Sequence, residues 1–344
     1  MEKLGKVKSL SKAILASGNS VLFIGDRGIG KTSIAWDIAG EMGLEVFYLN
    51  VSQMFPENIS FPKENNGMLE FITYDLNNKV VILDELTNRN PDMHSLLQSL
   101  VLDKRIGTRK FENVYFIATG NRPEESSIAI ELPRPLIERF VVIEFPIPSK
   151  EEWASYTINK GGNKEFVSFI LSSTDNFYYQ KAEEIGLEQY PSPRNNTRTA
   201  LILSEIYKNN LNADNANDEE LRIVVTGSSG KAVYTGFVNY LQSGKYFTFK
   251  MFKEGQIPQN EREVLMLIVD VAEIGKKGNL NERDVSEVFD MLYTKFPRYK
   301  HYFLTFLGIA LGREWKEQIY KFAMQNPKTL LAKYLTELKK QLSK

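Results

Sequence analysis

The sequence predicts an α/β protein: an amino-terminal half built on a five-stranded parallel sheet, followed by an all-helical remainder. Three observations lead there. Five short runs rich in β-branched and aromatic residues, Ser20–Gly25, Glu45–Val51, Val80–Asp84, Val114–Thr119 and Val141–Phe145, fall within the first 148 residues. Helix-length segments such as Lys31–Met42 and Asp92–Leu102 separate them, and apolar strands alternating with helices make a parallel sheet covered on both faces. After the proline-punctuated stretch Ile143–Ser149 the pattern turns to helical periodicity over Lys150–Asn159, Lys164–Ser173, Thr197–Tyr207, Gly230–Leu241 and much of Gln259–Leu342.

At 344 residues and 39.4 kDa the chain is too long for one compact core. We expect a core over 1–148, a helical domain over 149–256 and a helical extension over 257–344. With 42% hydrophobic and 25% charged residues the chain is not disordered by composition. Its 43 basic and 43 acidic side chains cancel, which argues against a protein that coats nucleic acid. There is no cysteine, excluding disulfides, thiolate nucleophiles and cysteine-ligated metals, and the two histidines, His94 and His301, lie far apart. No run approaches the roughly 18 apolar residues of a membrane span, and the lysine-bearing amino terminus has no apolar stretch behind it. A cytoplasmic location with no membrane partner is the expectation.

Taken in order, the first strand runs into Gly25-Asp26-Arg27-Gly28-Ile29-Gly30-Lys31-Thr32, a full match to G-x-x-x-x-G-K-[ST]. Average residue usage gives about one chance match per hundred chains of this length. Glycines let several backbone N–H groups turn toward a phosphate at the positive end of the next helix. Lys31 is placed to neutralise β- and γ-phosphates and the Thr32 hydroxyl to ligate Mg²⁺. Gly25 to Thr32, with Ser33, is therefore the nucleotide-binding segment, and ATP with Mg²⁺ the expected cofactor.

Within Gln53–Asn77, Asn66-Gly67 between apolar residues signals a hairpin. Next, the buried-type strand Val80-Val81-Ile82-Leu83 ends in Asp84-Glu85. An acid at such a tip beside a phosphate loop suits Mg²⁺, and a second suits orientation and deprotonation of a water: Asp84 as metal partner, Glu85 as general base. Two acids at a solvated strand end are the plainer alternative. Lys104, Arg105, Arg109 and Lys110 form a basic cluster, and residues 295–344 hold eleven Lys/Arg against three Asp/Glu. A charge excess of that kind is usually a solvated helix face or a docking surface. Helix starts are signalled at Asn260 with Glu263 and at Asn326-Pro327, whereas the Asn/Asp-rich Lys208–Asp218 reads as loop.

Three more segments complete a pattern: Ala118-Thr119-Gly120-Asn121-Arg122-Pro123 after the fourth strand, Leu132-Pro133-Arg134-Pro135-Leu136-Ile137-Glu138-Arg139-Phe140 before the fifth, and Pro191-Ser192-Pro193-Arg194 entering a helix. With Asp84-Glu85-Leu86-Thr87-Asn88-Arg89, they make residues 8–250 resemble the MoxR-like branch of the AAA+ ATPases. The resemblance implies a P-loop AAA+ core followed by a helical lid. It implies that Asn121 is the sensor-1 residue and Arg139 the arginine finger that reaches a neighbouring subunit's γ-phosphate. A salt bridge of Arg139 with Glu138 or Glu144 is the alternative, and Arg134 a weaker candidate for the finger. Arg194 is implied as the sensor-2 arginine, with Arg198 one turn on as fallback. The resemblance further implies a homo-oligomeric ring, by family expectation a hexamer, whose pore faces a hairpin inserted in the helix after the second strand, here with Phe61, Lys63 and Glu64. It also implies a protein client remodelled or assembled through ATP hydrolysis, with a von Willebrand A domain protein as partner. Many relatives end soon after the lid, so the last ninety or so residues are a departure. A nucleic-acid motor or loader is the second hypothesis, resting on the two basic stretches; a slow nucleotide-operated switch is the third.

Overall fold

In a computed structural model, residues 3–66, 68–88, 91–122, 132–181, 188–208, 211–243 and 247–342 are described here. Gly67, Arg89 and Pro123 of the motifs above lie outside them. The chain divides after Pro148 into two compact units.

The first unit opens with α1 (Lys3–Ala16) and then β1 (Ser20–Ile24), α2 (Lys31–Met42) and β2 (Glu45–Asn50). A one-turn helix α3 (Pro56–Ile59) leads into the hairpin β3 (Ser60–Asn65) and β4 (Met68–Thr73), then β5 (Lys79–Asp84) and α4 (Pro91–Asp103). A second small hairpin, β6 (Arg105–Ile106) and β7 (Arg109–Lys110), precedes β8 (Tyr115–Gly120), α5 (Arg134–Ile137) and β9 (Phe140–Glu144). Five strands form one parallel sheet in the order β2-β5-β8-β1-β9. This is the AAA+ fold. Its central strands are continuous apolar runs because helices cover both faces: Val80 to Leu83 of β5 and Phe116 to Ala118 of β8 are fully buried. Leu22, Leu49, Val81, Leu83, Leu97 and Phe116 belong to the core on one side.

In this unit one feature differs from the expectations. The first hairpin is not inserted in a long helix. Only a 3₁₀ turn at Val51–Gln53 and α3 separate it from β2, and β5 follows β4 directly. The register pairs Asn65 with Met68, a two-residue turn with Asn66 in the left-handed region at φ 53°, as the Asn-Gly signal requires. The basic cluster, read only as charge, lies on the second hairpin.

The second unit is helical: α6 (Lys150–Asn159), α7 (Lys164–Ser172), α8 (Pro193–Tyr207), α9 (Glu219–Ser229), α10 (Lys231–Gln242), α11 (Phe249–Lys253), α12 (Glu261–Lys276), α13 (Glu282–Lys295), α14 (Tyr299–Leu311), α15 (Arg313–Gln325) and α16 (Leu330–Leu342). Side-chain caps start many of them. Ser149 and Glu152 make a reciprocal capping box on α6, and Asn163, Ser192, Asn260 and Asn281 accept from the third residue onward at α7, α8, α12 and α13. Asn326 does not start a helix. Its backbone N–H closes α15 on Phe322 and Ala323, and α16 begins after Thr329, whose hydroxyl accepts from Ala332 N–H. The helices of 257–344 share a core with those before them, α12 lying on α7 and α14 on α6. Lys164 of α7 bonds Asp270 of α12 at 2.7 Å, and Lys276 reaches the Ile158 carbonyl at 2.6 Å. Among the described residues no helix is long and apolar enough to cross a membrane.

Candidate functional site

β1 ends at Ile24, and the chain turns through Gly25 to Gly30 into α2. Gly28 (φ 75°) and Gly30 (φ 98°) occupy the left-handed region, which glycine enters without steric cost. At Gly25 an added Cβ would stand 2.9 Å from the Phe145 carbonyl. No acidic side chain occupies the first turn of α2 and no side chain caps it, so its leading N–H groups and positive dipole end suit an anion. Lys31 is buried. Its ammonium donates to the carbonyls of Gly25 (2.6 Å) and Asp26 (2.7 Å) and to Asn121 Oδ1 (2.9 Å).

Because β8 lies between β1 and β5, the tips of all three strands meet. The Thr32 hydroxyl donates to Asp84 Oδ1 at 2.9 Å, and Thr119 at the end of β8 donates to the same oxygen. Glu85, directly after β5, sits at φ 56°, unusual for a residue that is neither Gly, Asn nor Asp. Its Oε2 accepts from Ser52 Oγ (2.9 Å) and Asn88 Nδ2 (2.8 Å). The loop is stitched to β8 by Leu86 N–H on the Thr119 carbonyl (2.8 Å) and Asn121 N–H on Thr87 Oγ1 (2.8 Å).

Lys31, Thr32, Asp84, Glu85 and Asn121 thus converge on one end of the sheet. Arg139 does not join them within the subunit: it follows α5 and donates to the Gln98 carbonyl at 3.2 Å and to the Pro135 carbonyl. Among the described residues it makes no ion pair with Glu138 or Glu144. Glu144 is engaged instead by Arg122, which also lies 3.8 Å from Asp26 of the loop. Arg134 is exposed at the start of α5. Arg194 is exposed in the first turn of α8, in the second unit, and Arg198 donates to Asn195 Oδ1 at 2.5 Å.

Sequence reasoning missed Tyr48, Ser52, Asn88 and Arg122. The Tyr48 hydroxyl donates to Asp84 Oδ2 at 2.7 Å; partial burial first, then the Asp84 carboxylate, holds this phenol above its ordinary pKa. A signal was there to find. Tyr48, Asn50 and Ser52 are polar at every second position, one face of a strand. Asn50 pairs in register with Asp84 and accepts from Ser52 N–H at 3.2 Å.

The donor set fits a nucleotide with a hard divalent cation: backbone N–H groups at an uncapped helix start, an ammonium, and a hydroxyl–carboxylate pair of oxygens. Residues 21–146 match the profile of the ATPase family associated with various cellular activities (AAA). This segment is a AAA-family domain. None of the curated proteins matches the sequence. Among solved structures, that of the Thermotoga maritima RuvB Holliday junction branch migration motor is similar at 19% identity and a TM-score of 0.38, over 87% of this chain and 93% of that one. Two point mutants of the same protein give 18% identity with TM-score 0.39 (87% of this chain, 93% of that one) and 16% with 0.38 (84% and 83%).

Proposed function

We propose that this chain is a Mg²⁺-dependent ATPase that works as a ring of identical subunits and remodels or assembles a protein client. The observation that supports it is the convergence of Lys31, Thr32, Asp84, Glu85 and Asn121 at the shared ends of β1, β5 and β8. ATP bound with Mg²⁺ supplies the phosphoanhydride bond that water cleaves. The chain's own groups divide the remaining work. The Gly25–Ser33 segment holds phosphate oxygens with backbone N–H groups and the Lys31 charge. Thr32 and Asp84 offer oxygens to the cation. Glu85, kept in place by Ser52 and Asn88, orients the attacking water and accepts its proton. Asn121, already on Lys31, positions the water from the other side.

On this reading 1–148 is the catalytic core, 149–256 the lid and 257–344 an extension that buttresses it. Arg139 serves the neighbour's site and Arg194, with Arg198 as fallback, serves its own. MoxR-type client remodelling, a hexameric ring and a von Willebrand A domain partner belong to this proposal through the sequence resemblance alone. Nucleic acid is the second class of partner. Arg109 is already engaged, by the Thr73 carbonyl at 3.2 Å, by Asp75 at 3.5 Å and by the Phe111 ring, so that patch offers less free charge than its composition suggests.

The test is capture from the native host with Glu85→Gln held in ATP, against Lys31→Ala. A defined protein retained only by the ATP-locked form supports remodelling. Nuclease-sensitive material in its place would transfer the assignment to a nucleic-acid motor, and an unchanged ATPase rate in Glu85→Gln would remove the mechanism.

A further inference from the structure

Asp84 is the only carboxylate paired with Thr32 among the described residues, and it is gripped from both sides. Oδ1 receives Thr32 and Thr119; Oδ2 receives Tyr48 at 2.7 Å. Tyr48 comes from β2, the sheet's edge strand, two residues before the position paired with Asp84. The two side chains therefore share a face and meet on the diagonal. Nothing about a half-solvated edge demands an aromatic ring there, and Tyr48 remains 40% exposed. Its ring stacks on Trp36, itself 46% exposed, with centroids 6.0 Å apart and planes 25° from parallel.

Trp36 stands one helical turn after Thr32 on the same face of α2. The contacts close a circuit: Thr32 to Asp84, Asp84 to Tyr48, Tyr48 to Trp36, and Trp36 back to Thr32 along the helix. A tyrosine has two side-chain torsions before its hydroxyl, and stacking removes most of that freedom. A hydrogen bond from a pinned donor fixes the carboxylate plane in a way that solvent cannot.

We propose that Tyr48, braced by Trp36, is a positioning residue that sets the Asp84 carboxylate for the divalent cation. Its hydroxyl acts through Asp84. The proposal rests on the nucleotide-binding reading above and makes a narrower demand. Cation-dependent binding should suffer while cation-independent binding does not.

The experiment is isothermal titration of a non-hydrolysable ATP analogue into the full chain, with and without Mg²⁺, for the wild type, Tyr48→Phe and Trp36→Leu. Tyr48→Phe keeps the ring on Trp36 and removes only the donor. We expect Mg²⁺-free affinity to stay within about twofold, and the gain conferred by Mg²⁺ to fall about tenfold, the usual weight of a hydrogen bond to a charged group. Trp36→Leu leaves the hydroxyl and removes its brace, and should lose a smaller part of the same gain. Equal Mg²⁺ gain in Tyr48→Phe and wild type overturns the proposal. So does a parallel loss in both titrations, which would mark general damage to the site. A wild type that gains nothing from Mg²⁺ would instead bring down the ATPase reading, and this inference with it.

Discussion

Glu85 occupies left-handed backbone at φ 56°, where a Cβ costs about 1–2 kcal/mol. What holds it there is local: its N–H approaches Thr119 Oγ1 at 3.3 Å and its carboxylate receives Ser52 and Asn88. Comparing Glu85→Ala with Glu85→Gly isolates the backbone, since both discard the carboxylate. The glycine variant should be more stable by about 1 kcal/mol in denaturant unfolding, with turnover lost in both; equal stabilities would mean that the turn is unstrained. Ser52→Ala should lower kcat about tenfold and leave nucleotide affinity unchanged, because it removes one of two bonds orienting the base. A fall in affinity of the same size would place Ser52 on the nucleotide. At this scale the sequence showed the phosphate loop and the Asp84-Glu85 pair, because each is contiguous. Tyr48 and Ser52 stayed hidden because their roles exist only once strand register brings β2 beside β5, and Asn88 because its bond to Glu85, three residues back, depends on the turn that follows β5.

α7 carries a different kind of strain. Glu165 is 9% exposed, and its Oε2 has no hydrogen-bond partner. Burial, opposed by Lys164 and aided by Glu273 and Asp270, pushes its carboxyl up to about 7 from an ordinary 4.5. Between those values the folded chain holds a proton that the unfolded chain has released. Stability therefore falls as pH rises through that window, by up to about 3 kcal/mol. Glu165→Gln should escape the loss: its thermal midpoint should rise relative to wild type from pH 5 to pH 8, and parallel pH profiles would refute the assignment. In the first unit, Gly107 (φ 56°) lets the second hairpin abut the first, for an added Cβ would lie 2.4 Å from the Phe71 ring. Gly107→Ala should cost about 1–3 kcal/mol in chemical denaturation, whereas a neutral result would mean the hairpins are not braced.

Elements with strong periodicity were legible: α6 has the expected bounds, Lys150–Asn159. α9 was not. No helix was expected over Glu219–Ser229, whose Ile223-Val224-Val225-Thr226 run is β-branched, yet Leu221, Val225 and Ser228 are buried at helical spacing, and packing overrode propensity.

At the scale of the whole molecule, the proposal places Arg139 in a neighbour's site, although within its own chain it also ties down Gln98 and Pro135. Mixing separates the two roles. Arg139→Ala and Glu85→Gln should each be slower than wild type by about a thousandfold. Random co-assembly should restore about a quarter of the sites, wherever an intact Glu85 meets an intact neighbouring arginine across a head-to-tail interface. No recovery would make Arg139 a structural residue of its own subunit. The large division of the chain, sheet first and helices after, was readable from period and proline alone. The sharing of one core by 149–256 and 257–344 was not, because amphipathic faces do not name their partners.

That shared core bears on how the molecule is made. The last strand of the sheet ends at Glu144, so the first unit can close while the ribosome is still at work. α7, buried along nearly its whole length, meets α12 only when residue 276 has emerged, about 100 residues after α7, and α6 waits for α14 until residue 311. At usual elongation rates α7 spends roughly five to twenty seconds covered only by α6, α8 and α10. The nascent second unit is the stretch of this chain most in need of a chaperone.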